Sequence, residues 1–216
     1  MLPEGSVGRR QVASAKVSGT EGYAEEAEDL FKRYESISGA ETHKAVLHLI
    51  PAAPARILDV GAGTGRDAAW FAGIGHRVTA VEPTDAMRLP AMKLHPSPLI
   101  EWLDDSLPEL PLLRSRGEAF DLILLSAVWM HFDGEQRRQA MATLAALLRT
   151  GGTLIVRVRH GPVPPGRRMF EIPDQETLDL AEANDLHAVL NQRAESTLAA
   201  NRDAGVSWTY LAFLKK

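Results

Sequence analysis

The chain has 216 residues, 45% apolar and 24% charged, the composition of an ordinary globular protein with length enough for a sizeable core. Its 24 basic and 28 acidic side chains leave a net charge of −4, so no global field draws it to nucleic acid or to an anionic membrane. It has no cysteine, which excludes disulfides, thiolate catalysis and cysteine-ligated zinc or iron–sulfur centres. No apolar run approaches the ~20 residues of a membrane span, and the N-terminus lacks the apolar stretch of a signal peptide, so a cytoplasmic location is expected.

In chain order, residues 1–20 are rich in small residues, show no periodicity and read as a flexible arm, with Arg9 and Arg10 as solvated charges. A helix is expected over 23–34, with Ala24, Ala27, Leu30, Phe31 and Tyr34 on one face. A second is expected over 41–50, stopping before Pro51. Apolar strand patterns then recur at 56–60, 77–82, 99–103, 120–126 and 153–158. Between them lie helix patterns at 65–73, from about 84, within 107–115 and at 134–149, with Pro90 and Pro96 read as breaking the chain soon after residue 84. A Pro/Gly/Arg loop over 160–168 precedes a helix near 174–183 and strands near 187–193 and 206–214. Such alternation implies an α/β fold, a parallel sheet covered by helices on both faces, and one domain over 21–216. Within it, residues 21–50 are helical and 55–216 form the core.

The segment 56–67, reading RILDVGAGTGRD, runs from a buried strand into a glycine-rich turn and a helix. Gly61, Gly63 and Gly65 free the backbone to take positive φ and let a ligand touch the main chain at Ala62 and its neighbours. The dinucleotide fingerprint places its third glycine where this chain has Arg66. Asp59, just before the turn, would repel a pyrophosphate but accepts hydrogen bonds from a cationic ligand. S-adenosylmethionine, with a sulfonium, an ammonium and no phosphate, is such a ligand. In an open α/β sheet the ligand lies beyond the strands' carboxyl ends. There stand Glu82, placed for two ribose hydroxyls, and Asp104 and Asp105, alternatives for accepting from an adenine amine. Ser126 ends the fourth strand under the methionine portion.

The pieces LDVGAGTGRDA, VTAVEPTDAM, WLDDSLP, FDLILLSAVWMHF, LLRTGGTLIV and VSWTYLAFL, in this order, resemble the class I S-adenosylmethionine-dependent methyltransferases. The resemblance runs from about residue 23 to the end. It implies a Rossmann-like, seven-stranded, mostly parallel sheet with an antiparallel last strand, and an N-terminal lid over 21–50. It implies S-adenosylmethionine as cofactor, S-adenosylhomocysteine as product and no metal. By the same resemblance Asp59, Gly61, Ala62 and Gly63 hold the ligand. Pro83, Thr84 and Met87 flank the adenine and Leu107 covers its other face, Ser106 follows the adenine-binding acid as a further cofactor-binding position, and Tyr23 reaches the methionine carboxylate or the acceptor.

No motif fixes the acceptor. The strand-four ending is SAVW rather than the NPPY type of amino-group nucleic-acid methyltransferases, which argues against DNA. A core with no appended recognition domain favours a small-molecule acceptor, with a protein or RNA acceptor, a nicotinamide-dependent oxidoreductase and a non-catalytic binding module as the other readings. Either a monomer or a homodimer is compatible. His131 is the histidine best placed for a base, with Tyr23 the second catalytic candidate. Trp129, Arg157, Arg159, His160, Arg167 and Arg168 are candidates around an anionic substrate, because guanidinium forks match carboxylates and phosphates. His43, His48, His76, His95 and His187 are scattered, without metal-ligand spacing.

Overall fold

A computed structural model describes residues 17–52 and 54–216; Arg9, Arg10 and the rest of the expected arm through residue 16 lie outside it. Helices α1 (Ala27–Tyr34) and α2 (Gly39–Thr42) and a 3-10 turn (Lys44–Leu49) come first. The core continues as β1 (Arg56–Val60), α3 (Arg66–Gly73), β2 (Arg77–Val81), α4 (Asp85–Leu94), β3 (Ile100–Leu103), α5 (Pro111–Ser115) and β4 (Phe120–Ser126). A 3-10 turn (Trp129–His131), α6 (Gly134–Leu147), β5 (Leu148–His160), α7 (Asp174–Glu182), β6 (Leu186–Glu195), α8 (Ala199–Asp203) and β7 (Ser207–Lys215) complete it. The seven strands form one sheet in the order β3-β2-β1-β4-β5-β7-β6. Only β7 runs against its neighbours, pairing antiparallel to both β5 and β6.

The two-residue period of the strands divides the core. Leu58 and Val60, Ile123 and Leu125, and Leu154 and Val156 pack with Met141 and Leu144 of α6 on one face. Ile57, Leu122 and Leu124, and Ile155 pack with Ala68 and Phe71 of α3 and Val46 on the other. Burial on both faces explains why these strands read as continuous apolar runs. The order reverses between β1 and β4, and the crevice outside the carboxyl ends of such a pair is where open α/β sheets bind ligands.

Several expected boundaries move. Helix α1 begins at Ala27, not residue 23, because residues 21–26 are turns with Gly22 at φ +77°. The helix expected over 41–50 is two pieces. Ser38 caps α2, its Oγ accepting from Glu41 N–H, and His43, drawn inward by Asp67, interrupts the chain before the 3-10 turn. Pro90 does not break α4 but sits inside it. Leu89 and Pro90 lie on its exposed side, where water can serve the carbonyl that lacks an N–H partner. Strand β5 starts at Leu148, ahead of the expected residue 153, and α8 was not expected at all. No helix among the described residues is long and apolar enough to cross a membrane.

Candidate active site

A cavity of about 250 Å³ opens over the carboxyl ends of β1, β2 and β4. The glycine turn forms its floor. Gly61 and Ala62 N–H both donate to the Val81 carbonyl, at 2.8 and 2.9 Å, which ties the turn to β2. Gly61, Gly63 and Gly65 have φ of +68°, +55° and +82°. A Cβ on Gly61 would stand 2.5 Å from Val128 Cγ2, and one on Gly65 would stand 2.7 Å from the Trp102 ring. Gly61 thus shapes the floor, while Gly65 serves the packing of α3 on the sheet.

Three acids meet this floor. Asp59 is 1% exposed, and its Oδ2 has no hydrogen-bond partner. Burial and the nearby Asp67 charge push its carboxyl well above the ordinary range, against the pull of Arg66. Glu82 accepts from Gly63 N–H and Thr84 N–H, both at 2.9 Å, yet burial still raises its pKa. Asp105 is buried and accepts from Ser106 N–H at 3.0 Å and Leu113 N–H at 2.9 Å, pinning the turn before α5. Each of its oxygens keeps a further lone pair. Asp104 is exposed instead and lies 3.2 Å from Arg88, so of the two alternatives only Asp105 lines the cavity.

Pro83, Ser106, Leu107, Ser126 and Tyr23 also line it. Met87 does not. It is buried behind the turn, its Cε 4.0 Å from where a Gly63 Cβ would stand. Trp129, expected at the substrate, is fully buried in the core and donates its Nε1–H to Thr177 Oγ1 at 3.0 Å.

Tyr23 and His131 form a pair at the cavity wall, with Tyr23 Oη 3.0 Å from His131 Nε2. The tautomer is set by the partners. His131 Nδ1 lies 2.7 Å from the Arg168 carbonyl, which only accepts, so Nδ1 carries the proton and Nε2 accepts from the Tyr23 hydroxyl. Burial pushes the His131 pKa down and that of Tyr23 up, so both are neutral near pH 7. The Arg167 guanidinium lies 4.0 Å from the Tyr23 ring centroid, donates to Glu21 O and pairs with Glu26 at 2.9 Å.

The cationic cluster separates. Arg157, Arg159 and Arg167 line the cavity. Arg168 does not; it bridges His131 O, Gln136 and Asp133. Nor does His160, which is 2.8 Å from Thr209 Oγ1 and 3.9 Å from Asp174. Asp67 stands in the first turn of α3. It is buried between His43 Nε2 at 2.9 Å and Arg66, which grips it through Nε at 2.8 Å and Nη2 at 3.0 Å. Burial alone would raise its pKa, but His43 and Arg66 hold it well below the usual range. Sequence reading also missed the wall made by Val17–Thr20 backbone and side chains, Arg33, Tyr34, residues 196–198, Asn201 and Trp208. The one available signal was the aromatic Trp208 at the start of the last strand. Among the described residues no group of three or more His, Asp or Glu is placed to hold a metal ion.

Comparison with known proteins agrees with this geometry. A family model described as a methyltransferase domain matches residues 58–156. Glycine N-methyltransferase of Oryctolagus cuniculus is 28% identical over 174 residues, covering 68% of this chain and 59% of the relative. An uncharacterized methyltransferase of Bacillus pumilus is 27% identical over 136 residues, covering 62% and 57%. The chain therefore spans less than two thirds of the length of these curated relatives. Among solved structures, the 1,6-didemethyltoxoflavin-N1-methyltransferase of Burkholderia thailandensis, with bound 1,6-didemethyltoxoflavin and S-adenosylhomocysteine, superposes with a TM-score of 0.70. It is 25% identical and covers 90% of this chain and 85% of its own. A TehB-like methyltransferase of Corynebacterium glutamicum shares the fold with a TM-score of 0.63 at 21% identity, covering 89% of this chain and 99% of its own. The oxidoreductase alternative falls with these matches. Residues 58–156 thus match a methyltransferase domain, and the glycine turn and strand order are similar to those of the class I S-adenosylmethionine-dependent methyltransferases.

Proposed function

We propose that this protein transfers the methyl group of S-adenosylmethionine to a small, anionic molecule. One observation carries the donor assignment: the buried, unpartnered Asp59 Oδ2 beside a glycine turn that a cationic, phosphate-free nucleoside can approach. An ammonium group satisfies that oxygen and offsets the cost of a charge so placed, whereas a pyrophosphate adds repulsion. Glu82, with lone pairs to spare, takes the ribose hydroxyls, and Asp105, Ser106, Leu107 and Pro83 take the adenine. Gly61, Ala62 and Gly63 give main-chain contact, and Ser126 faces the methionine portion.

The donor supplies an electrophilic methyl on its sulfonium; the chain's own residues supply position, water exclusion and a proton path. Tyr23 and the turn at residues 17–20 cover the cavity. An acceptor N–H or O–H that donates to Tyr23 Oη completes a chain whose next link, the hydroxyl bonded to His131 Nε2, carries the proton away. Arg159 forms no ion pair among the described residues and presents its charge to the cavity. Arg167, already committed to Glu26 and Tyr23, holds the cover in place. The similar proteins named for an acceptor, glycine N-methyltransferase and 1,6-didemethyltoxoflavin-N1-methyltransferase, act on small molecules, which supports this acceptor size.

Isothermal titration tests the reading. S-adenosylhomocysteine is expected to bind at micromolar or tighter affinity, with no heat from NADH. Binding of NADH with none of the homocysteine nucleoside overturns the proposal.

A further inference from the structure

Arg66, Arg88, Arg137 and Arg167 are all largely buried, and each faces a carboxylate: Asp67 at 2.8 Å, Asp104 at 3.2 Å, Glu176 at 2.6 Å and Glu26 at 2.9 Å. Arg157 breaks this pattern. It is 6% exposed, forms no ion pair among the described residues, and its Nε–H has no partner. Asp67, the acid whose charge reaches it, is already held by His43 and Arg66. A guanidinium taken out of water without an anion is costly, so its retention at a cavity wall points to a ligand.

The sheet register explains how a second donor joins it. Arg157 pairs with Tyr210 of β7, and Arg159 pairs with Trp208, so Trp208 lies diagonally across from Arg157. The guanidinium carbon stands 3.5 Å from the centroid of the Trp208 ring system. Trp208 is also 6% exposed, its Nε1–H is also without a partner, and both residues line the cavity. A stacked indole and guanidinium with two unanswered N–H groups suit a flat anion with two oxygens better than a tetrahedral one.

We propose that Arg157 and Trp208 form a carboxylate-docking subsite of this cavity, serving the methyl acceptor. The proposal deepens the methyltransferase reading above and rests on it. It makes the acceptor a small carboxylate whose reacting atom turns toward Tyr23, and it gives Arg157, rather than Arg167 or Arg168, the recognition of the anion.

The test uses benzoate as the probe carboxylate, titrated into protein saturated with S-adenosylhomocysteine. Saturable binding to the wild type is expected, at least about tenfold weaker in Arg157→Met, with S-adenosylhomocysteine affinity nearly unchanged. Trp208→Phe keeps the stacked ring and the arginine, and so guards against a misfolded Arg157→Met protein; it is expected to weaken benzoate alone. If instead both variants weaken S-adenosylhomocysteine and benzoate does not bind the loaded wild type, the subsite is a carboxylate site for the donor's amino-acid end, and the acceptor proposal is overturned. Unchanged binding of both ligands in both variants overturns the subsite. Failure of the wild type to bind S-adenosylhomocysteine at all overturns the methyltransferase reading instead.

Discussion

Gly61 has room only for hydrogen. Its φ of +68° is strained for any β-branched residue, and an added Cβ would stand 2.5 Å from Val128 Cγ2. Strain of this kind costs ~1–3 kcal/mol before the clash with Val128 is counted. Gly61→Val is therefore expected to weaken S-adenosylhomocysteine binding by about a hundredfold or more while the sheet still forms, which calorimetry together with circular dichroism checks. At this scale the motif residues were legible, because a glycine turn and strand-end acids carry their chemistry in one dimension. The choice between Asp104 and Asp105 was not, since it depends on which carboxylate the chain turns toward Leu113 N–H. Trp129 and Met87 were misplaced for a related reason: an apolar side chain next to a motif can pack behind the turn as readily as in front of it. Arg157 and Trp208, each with one side-chain N–H lacking a partner, are far apart in sequence and meet only through the β5–β7 register.

Helix α6 shows how an element can hold a catalytic candidate it does not contain. Its N-cap Asp133 accepts from Glu135 and Gln136 N–H in a capping box, and the same carboxylate binds Arg168 at 3.0 Å. Arg168 also donates to His131 O, and its own carbonyl fixes the His131 tautomer. Asp133→Ala removes the cap and frees Arg168 together. The expected result is a Tm lower by a few degrees and a lower kcat, with S-adenosylhomocysteine affinity unchanged; thermal unfolding and steady-state rates measured side by side check it. Affinity and rate falling in equal proportion would place Asp133 in support of the donor site instead. The alternation of strands and helices was readable because buried parallel strands are short apolar runs and the helices between them are amphipathic. The N-terminal segment was not. Its turns are set by distant partners, His131 and Arg167 for residues 21–26 and Asp67 for His43, and helix periodicity does not register them.

Across the whole molecule, three buried acids beneath one cavity oppose each other in their effect on stability. Asp59 and Glu82 have folded pKa values raised by burial, so folding favours their protonated forms. Each contributes stability that is present at low pH and lost as pH rises above the ordinary carboxylate range and through the folded value. Asp67 is the reverse: held low by His43 and Arg66, it contributes stability present above the ordinary value of 3.8 and lost as pH falls through its folded value. The ligand-free protein is therefore expected to lose the contributions of Asp59 and Glu82 as pH rises above the ordinary carboxylate range, while His131, whose pKa burial lowers, loses its own contribution as pH falls below its ordinary 6.5. S-adenosylmethionine brings positive charge to the ionised acids, so it is expected to raise Tm more at pH 8 than at pH 5, by mass action on top of relieved repulsion. Asp59→Asn keeps the shape of the side chain and removes its titration. It is expected to flatten the alkaline decline and raise the ligand-free Tm by a few degrees, while weakening S-adenosylmethionine about tenfold or more. Scanning calorimetry from pH 4 to 9, with and without ligand, reads all of these in one series. A decline in Tm that survives unchanged in Asp59→Asn would mean that the acid beneath the glycine turn is not the group whose charge the ligand is there to meet.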